Sequence, residues 1–195
     1  MSRFPPVPPE QQTADQRTAH DEIDVRTQRK YRSNISLKNE AGALIGPFPP
    51  LLYTPTIALP WLNLADAVIH LPQLSERERE LAILATLSRT RAAYALYAHK
   101  RLSLAAGLSE AQVSAAIAGN GTPEGLSESE KAVYEAALCM AELGGPMSEE
   151  RFSDAEKRLG GKERVGAVMH TVANFMYVSV VMNVADVGVP GEGSS

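Results

Sequence analysis

Three times in this chain a serine stands three residues ahead of a glutamate or glutamine, just before apolar residues at helical spacing: Ser75 with Glu78, Ser109 with Gln112, and Ser127 with Glu130. Each is a capping box, in which the serine side chain takes a backbone N–H of the first turn and the acid or amide reaches back to the serine's own N–H. A chain that starts helices this often leaves little room for sheet. No segment shows period-two alternation bounded by turns; VSVVMNV at 178–184 is rich in β-branched residues but continues an unbroken helical pattern. The fold expected is all-α, with about seven or eight helices joined by short Gly-rich connections.

The remaining helix limits follow from local chemistry. A helix is expected from Thr56 to about Leu71, with Pro60 in its first turn and Pro72 after its end. Gly107 closes the helix that follows the Ser75 helix, and another runs from Ser109 to about Gly119. The Ser127 helix runs to about Leu143, where Gly144, Gly145 and Pro146 stop it. Ser148 caps a short helix ending at Gly160 and Gly161, and a last helix spans Lys162 to about Val187. Residues 42–55 carry too many prolines for a regular helix and are too apolar for a linker, so they should lie against the core. Three parts are expected: an arm at 1–33, flexible to residue 12 and then a solvent-facing helix; one domain at 34–190; and a flexible tail at 191–195.

Composition narrows the function. A formal net charge of −4 with no unbroken basic run argues against a nucleic-acid surface. Apolar stretches are interrupted well short of about 18 residues, and the N-terminus lacks an apolar signal core, so a cytoplasmic protein without a membrane segment is expected. Cys139 is alone, which leaves no intramolecular disulfide or paired-thiol redox centre. There is no Gly-rich phosphate loop, no paired-histidine metal motif and no nucleophile elbow. The expectation is therefore no metal and no cofactor, with any chemistry done by side chains.

The candidates for that chemistry lie in Ser75–Leu108. At 100° per residue, Glu80 falls in the middle of the stripe made by Leu81, Ile83, Leu84 and Leu87, while Glu76, Glu78 and Arg79 point elsewhere. His99 shares a face with Ala92, Ala95, Leu96, Leu102, Ser103 and Ala106, small residues that leave room beside it. Two readings stand for each. Glu80 is either an acid favouring the helix dipole and pairing with an arginine, or a core-facing carboxylate. His99 is either a satisfied core histidine or half of an acid–histidine proton-transfer unit. Tyr94, Tyr97 and Leu104 lie opposite His99, so this helix is apolar on two faces and serves a subunit interface or the middle of the domain. His70 either approaches the start of the key stretch or is a surface histidine. His170, Asn174 and Tyr177 either rim a pocket or satisfy one another in the core.

The stretch LSERERELAILATLSRTRAAYALYAHKRLSLAAGLSEAQV resembles the central repeat of the carboxymuconolactone decarboxylase family, which includes AhpD-like peroxidase partners. GPFPPLLYTP before it and YVSVVMNVADVGVP at the end are similar to that family's opening segment and terminal helix, so the resemblance covers about residues 40–190. It implies an AhpD-like all-helical domain, a homo-oligomer (trimer or hexamer) with pockets near subunit contacts, and catalytic roles for His99 and Glu80. Substrate contacts are expected from Tyr97, Ala92, Ala95, Leu96, His70, His170 and Asn174. The redox branch has cysteines where Ala92 and Ala95 stand, so peroxidase chemistry is not expected. Decarboxylase-like members commonly have glutamate at the position of Ala95, and its loss should leave volume for a bulkier substrate, as in natural-product pathways. The function expected is a cofactor-independent, decarboxylase-like lyase acting on a carboxylated or lactone-type small molecule. An isomerase or cyclase, and a small-molecule-binding pseudoenzyme, are the alternatives.

Overall fold

The computed structural model describes residues 2–31 and 37–189. Helices occupy Ala14–Tyr31 (α1), Pro49–Tyr53 (α2), Pro55–Ile69 (α3), Glu76–Thr90 (α4), Ala93–Ala105 (α5), Glu110–Ala118 (α6), Glu128–Ala141 (α7), Glu149–Leu159 (α8) and Lys162–Ala185 (α9). Among the described residues there is no strand, and one isolated antiparallel bridge joins Lys38 to Leu44. All three capping boxes form, and Ser148 caps α8 by accepting from the Arg151 N–H.

The centre of the domain is α4. From Glu80 to Ser88 every residue is buried, which marks a helix enclosed on all sides. Leu81, Leu84 and Ala85 pack with Val133 and Ala137 of α7 and Val168 and Val172 of α9. Ile83 and Leu87 pack instead with Ala95 and Ala98 of α5 and with Phe175, Val178 and Met182 of α9. A third cluster joins Ile23 of α1, Leu51 and Leu52 of α2, and Ala58 and Leu62 of α3.

α9 is long and apolar enough to cross a membrane by length and composition, against the expectation that no stretch would be. More than half of its apolar window is buried inside the domain, as befits a core helix.

Four local expectations are corrected. α1 is not solvent-facing: Ala19, His20, Ile23 and Thr27 are buried against α2 and α3. Residues 2–12 lie on the domain; the Arg3 N–H and the Ser2 hydroxyl both donate to the Ala185 carbonyl at 2.8 Å, and Phe4 meets Tyr53 edge-on. Within 42–55 the turn α2 does form, because Pro49 and Pro50 occupy first-turn positions where no N–H is needed. Pro60 sits inside α3, since that helix already begins at Pro55; the Thr56 carbonyl therefore loses its usual donor four residues on. The expected boundary at 33/34 and the tail at 191–195 lie outside the described residues.

Candidate functional site

α4 and α5 cross so that Glu80 and His99, 19 residues apart, meet side by side. His99 Nδ1 lies 2.9 Å from Glu80 Oε2, and the Ser103 hydroxyl donates to the same oxygen at 3.2 Å. A carboxylate oxygen only accepts, so the imidazole donates through Nδ1 and Nε2 is the nitrogen left for other work. The ring is held from a second side by Phe175, whose centroid is 4.8 Å away at 89°. Glu80 and Ser103 are buried, and the His99 side chain keeps 12% exposure.

That exposure opens onto a cavity of about 100 Å³ between α1, the segment before α2, α3, α5 and α9. Its walls are mostly apolar: Phe48, Trp61, Leu62 and Ile69 on one side, Ala95, Ala98, Leu102 and Phe175 on the other. The volume is modest beside an engineered cavity of about 150 Å³ that takes benzene.

Five polar or charged lining residues stand out: Arg26, Thr27, Asp66, His99 and Asn174. The Arg26 guanidinium donates to Asn63 Oδ1 at 2.7 Å and lies 3.4 Å from Glu22 and 3.6 Å from Asp66. The Thr27 hydroxyl donates back to the Ile23 and Asp24 carbonyls of its own helix. The Asn174 Oδ1 is fully buried and accepts no hydrogen bond from any described residue.

Of the residues expected around a substrate, Ala95 and Asn174 line the cavity together with His99, and Glu80 stands behind His99. The others do not line it. Tyr97 faces away, with the Arg101 guanidinium 3.7 Å above its ring. Ala92 is buried as the N-cap of α5, and Leu96 is packed beside it in the core. His70 is exposed at the end of α3, its Nδ1 on the Asp66 carbonyl at 2.7 Å, and His170 is exposed on α9. Tyr94, expected opposite His99, does border the cavity. Sequence reasoning did not place Arg26, Phe48 and Trp61 at the site; all three lie outside the key stretch, Phe48 within the segment GPFPPLLYTP.

Glu78 is a second correction, since it was expected to point away from the core. It is buried and accepts from the Ser129 hydroxyl at 2.6 Å, the Arg164 guanidinium at 2.6 Å and, through its other oxygen, the Ser75 N–H at 2.8 Å. Burial alone would raise its pKa, but the bonds from Ser129, Ser75 and Arg164 outweigh it and hold the carboxyl at about 2. This acid is a structural anchor beneath the Glu80–His99 pair. No group of three or more potential metal-ligating side chains occurs among the described residues.

Residues 55–138 match the model of the carboxymuconolactone decarboxylase family. The family match runs from α3 to α7 and so includes Glu80 and His99, as the sequence resemblance implied, but Arg26, Phe48 and Asn174 lie outside it. No curated protein matches the chain. A crystal structure described as an alkylhydroperoxidase AhpD core, an uncharacterized peroxidase-related protein from Ralstonia eutropha JMP134, is similar with a TM-score of 0.75 at 18% identity. The likeness covers 98% of this chain and 93% of that one, and it is a likeness of fold.

Proposed function

We propose that this protein is a cofactor-independent lyase of the decarboxylase type, acting by acid–base chemistry on a carboxylated or lactone-type small molecule. One observation carries the reading: His99 lines a mostly apolar cavity while its Nδ1 is fixed on Glu80 at 2.9 Å. Loss of carbon dioxide from a carbon next to a carbonyl leaves an electron pair on the resulting enolate. In the proposed step the imidazolium gives its Nε2 proton to that carbon, and neutral His99 then takes a proton from solvent. Glu80 stabilises the imidazolium and fixes the tautomer, with Ser103 orienting the carboxylate. A peroxidase reading lacks its nucleophile, since Ala92 and Ala95 carry no thiol and Cys139 sits on α7, away from this cavity.

The test is turnover of a panel of carboxylated lactones, followed by carbon dioxide release and product analysis. His99→Gln should lower the rate roughly 10²–10⁴-fold, the usual worth of a positioned acid–base, with much less effect on binding. Glu80→Gln should lower the rate and displace the alkaline limb of the pH profile, since the protonated imidazole is the form that donates. A shifted double bond without carbon dioxide release would identify an isomerase, and binding without turnover a pseudoenzyme. Full activity in His99→Gln would make His99 a core histidine and end the proposal.

A further inference from the structure

The proposed step leaves one atom unattended. When carbon dioxide departs, the electron pair of the broken C–C bond runs into the neighbouring carbonyl, and the charge comes to rest on its oxygen. In that step His99 serves the carbon. Holding a developing oxyanion takes N–H or O–H donors fixed in advance where water is scarce, and it is often the largest single contribution to the rate. Two side chains on the cavity wall carry such donors and stand unmatched. The Trp61 indole N–H, from α3, is buried with no acceptor. The Asn174 side chain, from α9, is 5% exposed, and its carbonyl oxygen accepts nothing. An amide whose carbonyl is tied to no donor is not locked in orientation, and its NH2 is a donor. The two groups reach the cavity at neighbouring places. The Trp61 ring lies 6.2 Å from that of Tyr177, three residues beyond Asn174 on α9, and Phe175, next to Asn174, has its ring 4.8 Å from that of His99. Unmatched buried polar atoms destabilise a resting protein and so call for an explanation. Six occur on side chains among the described residues, and two of the six belong to this one cavity.

We infer that Trp61 and Asn174 are further catalytic residues of the proposed lyase, whose N–H groups hold the substrate's carbonyl oxygen as it becomes an enolate oxygen while His99 protonates the carbon. The inference rests on the lyase reading and assigns the half of the step that His99 does not perform. No proton leaves either side chain. The pair from the C–CO2 bond moves onto the oxygen, and the two hydrogen bonds tighten on that charge. The pair then returns to form the new C–H bond as His99 Nε2 gives up its proton. A neutral carbonyl accepts such bonds weakly and an oxyanion strongly, so the contact grows as the reaction proceeds and lowers the barrier more than it tightens substrate binding. Trp61 lies inside the matched stretch 55–138, and Asn174 brings the second donor from outside it.

Trp61→Phe keeps an aromatic ring and removes the donor; Asn174→Leu keeps the outline of the side chain and removes both ends of the amide. On a substrate drawn from the lactone panel, each variant should lower kcat roughly 10²-fold, the worth of one oxyanion donor, with KM within about threefold. A second readout needs no turnover. The probe is ortho-fluorophenol, a one-ring stand-in for the enolate whose fluorine resonance separates phenol from phenolate. Bound to the wild type, it should ionise about one pH unit lower than when bound to either variant, a tenfold preference for the anion per donor. Should the leucine variant fail to fold, Asn174→Ala takes its place in both measurements. An ionisation midpoint unchanged in either variant, no saturable binding of the phenol, or a kcat that either variant leaves intact would overturn the inference. A shifted midpoint without turnover of any carboxylated lactone supports the oxyanion-holding pair and removes the lyase. Turnover indifferent to both variants keeps the lyase and removes the pair.

Discussion

At Gly46 the backbone has φ of +72°, a conformation that side chains with a Cβ adopt only under strain. A Cβ there would also stand 2.6 Å from two ring carbons of Tyr94, a buried residue on the cavity wall. Gly46→Ala therefore meets two separate penalties and should destabilise the protein by about 2–4 kcal/mol in urea unfolding. Gly121→Ala, in open space, is the control and should change stability by no more than about 0.5 kcal/mol. Equal midpoints for the two variants would show that Tyr94 gives way freely. The same residue marks how far the site could be read in the sequence. Glu80 and His99 were legible because helical periodicity sets their faces and the family resemblance gives their order. Tyr94 lies about 140° around α5 from His99, as its spacing requires, yet its side chain still borders the cavity. Arg26, Phe48, Trp61 and Asn174 converge from well-separated stretches, and no local pattern records that meeting.

Among the elements, helices with their own punctuation were the legible ones. The starts of α4, α6, α7 and α8 are fixed by serine side chains within three residues, so sequence alone placed them. α1 was misread because its buried residues are few and interspersed with charge; only the rest of the fold shows which face is covered. Glu78 was misread for a longer-range reason, since Arg164 reaches it from 86 residues away. That contact ties the first turn of α4 to the first turn of α9 and makes the junction acid-sensitive. The carboxyl is held at about 2 against an ordinary 4.5, so its stabilisation is complete above pH 4.5 and is lost as the pH falls toward 2. The shift corresponds to something on the order of 3 kcal/mol. Glu78→Gln keeps the capping box but removes the charge. It should be less stable than the wild type at pH 6, and the difference should shrink toward pH 2.5 in denaturant melts followed by circular dichroism. A constant difference across that range would rule out the Glu78–Arg164 charge as its source.

For the molecule as a whole, the unexplained surface is apolar. Met169, Tyr177, Val180 and Val184 recur along one exposed side of α9, and Ile57 and Leu64 are exposed on α3. A helix that is buried on one face and apolar on the other is suited to self-association, in line with the homo-oligomer expected from the sequence. Light scattering at micromolar concentration should give a multiple of the 21.0 kDa chain mass, and Val180→Arg should lower it. A mass of one chain in the wild type would refute this.

The position of the cavity has one more consequence. The pair that would handle protons lies inside the stretch 55–138, whereas the walls contributed by Arg26, Phe48 and Asn174 come from chain on either side of it. Part of the wall is thus written in passages of the polypeptide apart from the acid–histidine pair, and the rest beside it in α3 and α5. Grafting foreign versions of the flanks onto an untouched α4–α5 crossing would retune what is admitted while leaving the proton-moving apparatus as it is.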